Sequence, residues 1–183
     1  VPAESQFNWE AKKPLIAGYV DKGTIGLKSG EIAVGTSTAS GMFTVDMTTL
    51  KVGLTAKSGK ESALETHLKS KDFFEVTKYP TTEFKITSVA PTTDSATTFM
   101  YAVKGNLTMK GKTNEITFPA KIYLKDSMLH AEATVEVDRT KWGITYGSGS
   151  FFDNLADNAI SDMFSLSFHL VATKEVTGQP VAQ

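Results

Sequence analysis

The sequence contains no cysteine, so neither a disulfide framework nor a thiolate zinc site can form. Arginine is almost as rare, because Arg139 is its only representative, and the net charge is -1 with no basic block. A nucleic-acid-binding protein normally carries a concentrated basic surface, so this class is excluded and we expect no nucleic-acid partner. No apolar run approaches the roughly 20 residues of a transmembrane helix. The opening residues "VPAESQF" lack the charged and apolar regions of a signal peptide.

What is present is typical of one globular domain. The chain has 183 residues, of which 40% are hydrophobic and 21% charged, with 14 glycines. This length is close to that of one domain and suffices for a substantial core. We therefore predict a single domain over residues 1–183, without a linker or repeat.

Apolar and polar residues alternate along four segments of the second half, and this period of two is typical of strands with one buried face. The first half shows the same pattern in "TIGLKSGEIAV" and "MFTVDMTTL", where glycines predict bulges or bends. The sum is about eight strands, which favours a closed antiparallel barrel because such a barrel has no free edges. The inward series of the second half comprises Phe99, Tyr101, Val103, Leu107, Met109, Ile116, Phe118, Ala120, Ile122, Leu124, Leu129, Ala131, Ala133, Val135, Val137, Phe164, Leu166, Phe168 and Leu170.

One segment, at about 60–70, departs from this period. Its apolar residues recur at helical spacing, and Glu61, Glu65 and Lys69 lie at intervals of four on another face. The pattern predicts a short amphipathic helix beside the barrel. The helix should end before Pro80, since the residue preceding a proline favours extended geometry. The apolar face would carry Ala63, Leu64, His67 and Leu68.

The positions of the three histidines do not predict a reaction site. His130 and His169 have the outward parity of two different strands, and His67 lies on the helix, with Asp72 and Glu75 beyond the helix end. We interpret His67 as a structural residue that hydrogen-bonds from the helix to the barrel. No nucleophile, base and orienting residue can be assembled. The sequence therefore predicts a non-catalytic binding protein without a metal or cofactor.

A barrel of about eight strands is either just filled by its side chains or encloses one ligand. The small residues Ala131 and Ala133 on one inward face favour a cavity. Two alternatives stay open at this point. One is a structural barrel with a filled core. The other is an isomerase or hydrolase of a small apolar substrate, for which Tyr101 is the one obvious inward ionisable group.

Three long segments in order, "HLKSKDFFEVTKYPTTEF", "GNLTMKGKTNEITFPA" and "DRTKWGITYGSGSFFDNLADNAI", resemble the YceI-like family of bacterial lipid-binding proteins. The resemblance runs from about Trp9 to Ala172. It implies an extended lipocalin-like barrel that holds a polyisoprenoid or a related amphiphile, such as a polyprenyl phosphate, a polyprenyl pyrophosphate or a quinone. It also implies a periplasmic or otherwise exported protein, with a leader or a lipid-anchored cysteine upstream of Val1.

The resemblance also assigns residues. The glycine-rich segment that begins at Asp138 carries Arg139, which would hold a carboxylate at the barrel mouth or a phosphate of the ligand. Asp21 and Ala156 depart from the related pattern, in which histidine and glycine are frequent. Together with parity, the resemblance predicts a channel lined by Ile25, Leu27, Phe43, Val45, Met47, Phe84, Ile86, Phe99, Tyr101, Ile116, Phe118, Leu129, Ala131, Ala133, Val135, Trp142, Phe164 and Phe168.

The same motifs imply structural roles for the residues around the helix and the hairpin. These are His67, Leu68, Phe73, Phe74, Tyr79, Pro80, Phe84, Gly105 and Leu107. The expected partner is a long-chain isoprenoid or a related amphiphilic lipid, with transient membrane contact. We expect a monomer or a homodimer.

Overall fold

Eight strands form a closed antiparallel barrel in the computed structural model, which describes residues 1–34, 39–92 and 100–173. Each strand pairs with the next along the chain, and β1 pairs with β8 to close the sheet. The predicted all-β barrel is confirmed. Phe99, predicted to line the channel, lies outside the described residues. The strands are β1 Gln6–Lys12, β2 Val20–Val34, β3 Ala39–Leu54, β4 Thr81–Pro91, β5 Met100–Met109, β6 Lys112–Lys125, β7 Met128–Asp138 and β8 Met163–Ala172.

One α-helix, α1 (Glu61–Lys69), lies against the barrel as the helical spacing predicted. Three short 3₁₀ helices, Pro2–Glu4, Arg139–Trp142 and Ala156–Asn158, are the other helical elements of the residues that the structure describes. In the part of the chain that the structure describes, no helix has the length and apolar character needed to cross a membrane.

Glycines shape the longest strand pair, β2 with β3. The register shifts at three places along this pair, between Lys22 and Gly23, between Thr24 and Gly26, and between Leu27 and Ser29. Gly23 permits a close approach, since a Cβ atom there would lie 1.9 Å from the Lys51 carbonyl oxygen. The glycine pattern therefore predicted real irregularities, which let long strands bend around the barrel.

The core consists of two clusters of buried apolar side chains. The larger one includes Trp142 and Ile144, which are 1% and 0% exposed. The Trp142 Nε1 group donates a hydrogen bond of 3.0 Å to the Leu107 carbonyl oxygen, so the 3₁₀ turn after β7 is tied to β5. The smaller cluster, Met47, Leu50 and Val76, lies where β3 meets the segment that follows α1.

Glu65 links α1 to the barrel wall. Its carboxylate accepts hydrogen bonds from Lys69 one turn on, at 2.9 Å, from Lys51 of β3, at 3.1 Å, and from the Val52 amide, at 3.3 Å. The hydrogen bonds from Lys69 and Lys51 lower the pKa of Glu65 from 4.5 to about 2. The helix is therefore held by polar contacts at its rim in addition to its apolar face.

We predict that Glu65→Gln destabilises the protein at pH 7 but not near pH 2. Because the folded pKa of Glu65 is depressed, its stabilising contribution is present above pH 4.5 and disappears as the pH falls through about 2. Urea denaturation of both proteins between pH 7 and pH 2 measures the difference. Glu115→Gln is the control, since Glu115 is 54% exposed and its single ion pair with Lys104 should contribute little. A difference for Glu65→Gln that is independent of pH would contradict the assignment.

Candidate ligand-binding site

A cavity of about 480 Å³ occupies the interior of the barrel. All eight strands and α1 contribute to its wall, and most lining side chains are aliphatic or aromatic. This volume falls within the roughly 300–1,000 Å³ of typical small-molecule sites. The side chains therefore do not fill the interior of this barrel.

The structure brings many of the predicted channel residues to this cavity. Arg139 also reaches the wall. The predicted residues that line the cavity are Ile25, Phe43, Val45, Met47, Phe84, Ile86, Ile116, Phe118, Ala131, Val135, Phe164 and Phe168.

Five predicted residues lie elsewhere. Leu27 and Leu129 line a separate cavity of about 40 Å³, which Ala131 also borders. Tyr101, Ala133 and Trp142 line neither cavity. The reason is that parity gives the face of a residue but neither its depth along the barrel nor the size of its neighbours.

Ala133 and Trp142 illustrate these two errors. Ala133 faces Phe168 across the sheet, and the Phe168 ring packs 5.5 Å from that of Phe7 and 5.9 Å from that of Phe118. The space that the alanine leaves is thus beside a cluster of large rings. Trp142 lies beyond the end of β7 and fills the core instead of the channel wall.

Apart from Arg139, the predicted lining included no residue of β1, of α1 or of the mouth. Phe7, Trp9 and Ala11 of β1 line the cavity, and their alternation with polar residues in the sequence could have predicted this inward face. Leu64, His67 and Leu68 of α1 also line the cavity, so the helix closes one side of it.

The polar lining residues concentrate at one end, which we call the mouth. This end is formed where β1 leads into β2 and where β7 leads into β8. The two connections are joined, because the Lys13 Nζ donates to the Asp157 carbonyl oxygen at 3.1 Å and the Ser161 amide donates to the Lys12 carbonyl oxygen at 2.9 Å. The polar residues that line the cavity here are Lys12, Lys13, Tyr19, Asp21, His67, Arg139, Tyr146, Asn158 and Ser161.

Several charged groups of the mouth already have partners in the protein. The Lys12 Nζ lies 3.2 Å from a Glu10 carboxylate oxygen, and the Lys13 Nζ lies 5.2 Å from the centre of the Tyr19 ring. Burial and the adjacent Asp21 carboxylate raise the pKa of Tyr19. Asp21 accepts a hydrogen bond of 3.0 Å from the Ala56 amide. The mouth is thus a network of compensated charges.

Arg139 is a structural residue of the mouth. Its guanidinium makes four hydrogen bonds of 2.8 to 3.1 Å to backbone carbonyl groups, and it lies 3.6 Å from Asp162. The side chain is 5% exposed, and its burial lowers the pKa of the guanidinium. Arg139 was predicted to bind a carboxylate or a ligand phosphate, but its partners are chiefly main-chain carbonyl groups. These acceptors belong to Ile144, Tyr146, Ile160 and Ser161.

The predicted hydrogen bond from His67 to the barrel is replaced by one to the turn that follows its own helix. Its Nε2 lies 3.2 Å from an Asp72 carboxylate oxygen, in the turn after α1. The ring packs edge-on against Phe73, at 5.0 Å, and Tyr146, at 4.7 Å. His67 therefore joins the helix exit to the loop after β7, above the cavity.

His130 and His169 point outward, but they are not dispersed. The two rings are nearly parallel, with centres 5.2 Å apart and the His130 Nδ1 2.9 Å from the His169 Nε2, and the Tyr123 ring stacks on His130. Across residues 1–34, 39–92 and 100–173, no three His, Asp or Glu side chains are grouped so that they could hold a metal ion.

A closed antiparallel barrel with an apolar cavity and a polar mouth has the architecture of the lipocalin-like binding barrels. The chain belongs to the YceI-like family, since the model of the YceI-like domain matches residues 1–172. No curated protein sequence matches it significantly.

Solved structures share this fold at low sequence identity. BcnA of Burkholderia cenocepacia superposes with a TM-score of 0.71 at 21% identity, covering 93% of this chain and 98% of BcnA. A polyisoprenoid binding domain from Saccharophagus degradans, implicated in plant cell wall breakdown, gives 0.66 at 13% identity, covering 94% and 96%. The YceI protein of Campylobacter jejuni gives 0.57 at 15% identity, covering 82% and 84%.

We predict that Arg139→Lys lowers the free energy of unfolding by more than about 2 kcal/mol. An ammonium group has three donors without the planar fork, so it leaves buried carbonyl groups unpaired, each at a cost of about 1–3 kcal/mol. Chemical denaturation provides the measurement. Lys141→Gln on the same 3₁₀ turn is the control, since Lys141 is exposed and should change stability by less than about 0.5 kcal/mol. Equal stability of Arg139→Lys and the parent would show that the four hydrogen bonds do not hold the mouth.

Proposed function

We propose that the protein binds a long-chain amphiphile with a polyisoprenoid tail in the barrel cavity, for transport, storage or sequestration. The observation that carries the proposal is the apolar cavity of about 480 Å³, with polar residues at one end. The description of the Saccharophagus degradans domain as polyisoprenoid binding supports the same class of ligand.

The energetics favour an apolar tail. Each buried methylene contributes about 0.8 kcal/mol, so a five-carbon unit contributes roughly 3 to 4 kcal/mol before ordering costs. A few such units give tight binding without a specific reaction of the head group. The cavity is therefore sufficient for a carrier.

We propose binding without catalysis. Below the mouth, the lining residues that the structure describes carry no ionisable side chain, and Tyr101 is outside the cavity. The ionisable groups at the mouth include Lys12, Lys13 and Arg139, which contact acceptors of the protein itself. An isomerase or hydrolase would need such a group free beside its substrate. The proposed binding function needs no metal or cofactor.

We further propose that the mouth contacts a membrane while cargo is exchanged. Of the eight large aliphatic or aromatic side chains that are exposed among the described residues, six lie at the mouth end of the barrel, and Met42 and Leu124 lie towards the other end. A cargo with so low a solubility in water passes most easily between the cavity and a bilayer that meet at the mouth. The periplasmic or exported location stays a prediction from the resemblance. The six residues are Leu15, Leu54, Tyr146, Phe151, Phe152 and Met163.

The cavity assignment is tested with Ala131→Trp, which adds a large ring to the cavity wall. We expect at least a tenfold loss of affinity for polyprenols, because the indole and the tail compete for one volume. Thr134→Trp on the exposed face of the same strand should bind as the parent does. Titration with polyprenols of graded length, after organic extraction and mass spectrometry of the native protein, measures both.

Undiminished polyprenol binding by Ala131→Trp would contradict the assignment of the cavity as the ligand-binding site. The carrier function fails if native protein repeatedly yields no lipid and the parent binds neither polyprenols nor quinones.

Membrane contact is tested with Phe151→Ser combined with Phe152→Ser. These side chains are 57% and 51% exposed, so we expect unchanged stability but a severalfold weaker partition into phosphatidylcholine–phosphatidylglycerol vesicles. Sedimentation with the vesicles gives the bound fraction. Leu124→Ser is the matched control, since Leu124 is 76% exposed away from the mouth. Equal partition of both variants would argue against the mouth as the membrane-facing end.

A further inference from the structure

His130 and His169 form a close pair on the outer face of the barrel. They lie on adjacent strands, β7 and β8, and are diagonal neighbours, since Val171 is directly opposite His130 and Glu132 is directly opposite His169. The His130 Nδ1 lies 2.9 Å from the His169 Nε2, and the ring planes differ by 14°. Atoms of stacked rings approach only to roughly 3.5 Å, so these nearly parallel rings meet edge to edge. The contact therefore has the geometry of a direct N–H···N hydrogen bond.

The burial of His130 decides which ring donates. His130 is 8% exposed, and its Nε2 atom is buried without a hydrogen-bond partner in the part of the chain that the structure describes. A hydrogen on this Nε2 would be a buried donor with nothing to bond, so the neutral ring carries its hydrogen on Nδ1. The His130 Nδ1 therefore donates, and the unprotonated His169 Nε2 accepts.

Protonation of the pair breaks this hydrogen bond. A protonated imidazole is a donor at both nitrogens, so the His169 Nε2 can no longer accept. Reversal of the bond would move the His130 hydrogen to the buried Nε2, and protonation of both rings would bring two cations together. The hydrogen bond is thus compatible only with the neutral pair.

The charged groups around the pair supply no substitute bond. The Oε1 atom of Glu132 accepts a hydrogen bond of 2.6 Å from the Tyr123 hydroxyl, which lowers the pKa of Glu132. The Glu132 charge offsets part of an added positive charge, and the Lys121 ammonium, 4.9 Å from the centre of the Tyr123 ring, opposes this effect. Gln6 of β1, opposite His169, is uncharged. The ionisable groups on the neighbouring elements are Lys121, Tyr123 and Lys125 of β6, Glu132 of β7, and Glu4 and the Val1 amino group ahead of β1.

The inner side of the same strand pair borders the cavity. Ala131 and Leu170 follow His130 and His169 in the sequence and are paired directly across β7 and β8. Both line the main cavity and also the cavity of about 40 Å³. They lie at the end of the barrel away from the mouth, which we call the deep end. A change in the spacing of β7 and β8 here therefore moves the cavity wall at the deep end.

We propose that His130 and His169 form a proton-sensitive clasp between β7 and β8, closed when the pair is neutral and open when it is protonated. Unperturbed imidazoles titrate at about pH 6.5, and the unfolded chain loses no hydrogen bond on protonation. The stability that the clasp contributes is therefore present above about pH 7 and is lost as the pH falls through about 6. Acid then loosens the wall at the deep end and speeds the release of cargo. Only this last step rests on the proposed function.

The first experiment compares the parent with the double variant His130→Gln and His169→Gln at pH 7.5 and pH 5.5. Glutamine keeps a donor and an acceptor at each position but does not titrate. We expect the melting temperature of the parent to fall by about 3 °C more than that of the double variant, as the loss of one hydrogen bond implies for a domain of this size. His67→Gln is the matched control, since it removes the remaining histidine and should show at least the fall of the parent. Equal falls in the parent and the double variant would overturn the proposal.

Amide hydrogen exchange locates the change. After correction for the intrinsic exchange rate at each pH, amides of residues 129–131 and 169–171 of the parent should be protected about fivefold less at pH 5.5 than at pH 7.5. Amides of β4 and β5 should keep their protection. An equal loss in all strands would contradict the clasp, since acid would then act on the whole barrel.

The parent alone provides a further test if the double variant does not fold. The His130 Nδ1 hydrogen should give a slowly exchanging NMR signal at pH 7.5, because it is held in a hydrogen bond, and this signal should disappear by pH 5.5. Absence of the signal at pH 7.5, or its persistence at pH 5.5, would show that the two rings form no such clasp.

Release of cargo is measured as the transfer of bound polyprenol to phosphatidylcholine vesicles. The parent should release it severalfold faster at pH 5.5 than at pH 7.5, and the double variant should release it at one rate. Equal rates for the parent at both pH values would overturn the link between the clasp and the cavity. If the parent binds no polyprenol, the proposed function fails, whereas the melting, exchange and NMR measurements still decide the clasp.

Discussion

Closure of the sheet between β1 and β8 is the constraint on which the rest of the structure depends. Residues 6–11 of β1 pair with residues 164–169 of β8, so each of the eight strands has a neighbour on both sides and no edge is left open. Closure turns the inward faces into one wall around a common interior. An eight-stranded barrel is near the size at which side chains just fill this interior, so a cavity depends on where the large rings stand. Here Phe168 packs against both Phe7 and Phe118, and volume remains beside them.

The two ends of the cavity are governed by different forces. The apolar wall gives affinity in proportion to the buried tail, with little dependence on its chemical identity. The mouth is organised by hydrogen bonds, with Arg139 at its centre and the Lys13 contact to Asp157 bridging two connections. Because the Arg139 guanidinium is nearly buried and bonded to main-chain carbonyl groups, it stabilises the opening and leaves few donors for cargo. A rigid, charge-compensated opening suits a ligand whose binding energy comes from its tail.

Much of the fold could be predicted from the sequence because period two directly reports a half-buried strand. In β7, for example, the buried Val135 and Val137 alternate with the exposed Thr134 and Glu136. The glycines of β2 likewise predicted the register shifts of that strand. Contacts between distant segments could not be predicted in this way. The contact between the ring nitrogens of His130 and His169 depends on the register of β7 with β8, and the bond from His67 to Asp72 depends on how the chain turns after α1. Alternation predicts which face of a strand a residue occupies, but neither the pairing register of that strand nor the depth of the residue in the barrel.

Thr81 and Thr82 show that the hydrophobic pattern alone does not tell which of two adjacent equivalent residues lies on the cavity side. In "YPTTEF" two threonines follow a proline, and both fit a strand equally well. They are distinguished when β3 pairs with β4, which turns Thr81 to the outer face beside Asp46 and Thr82 to the cavity beside Val45.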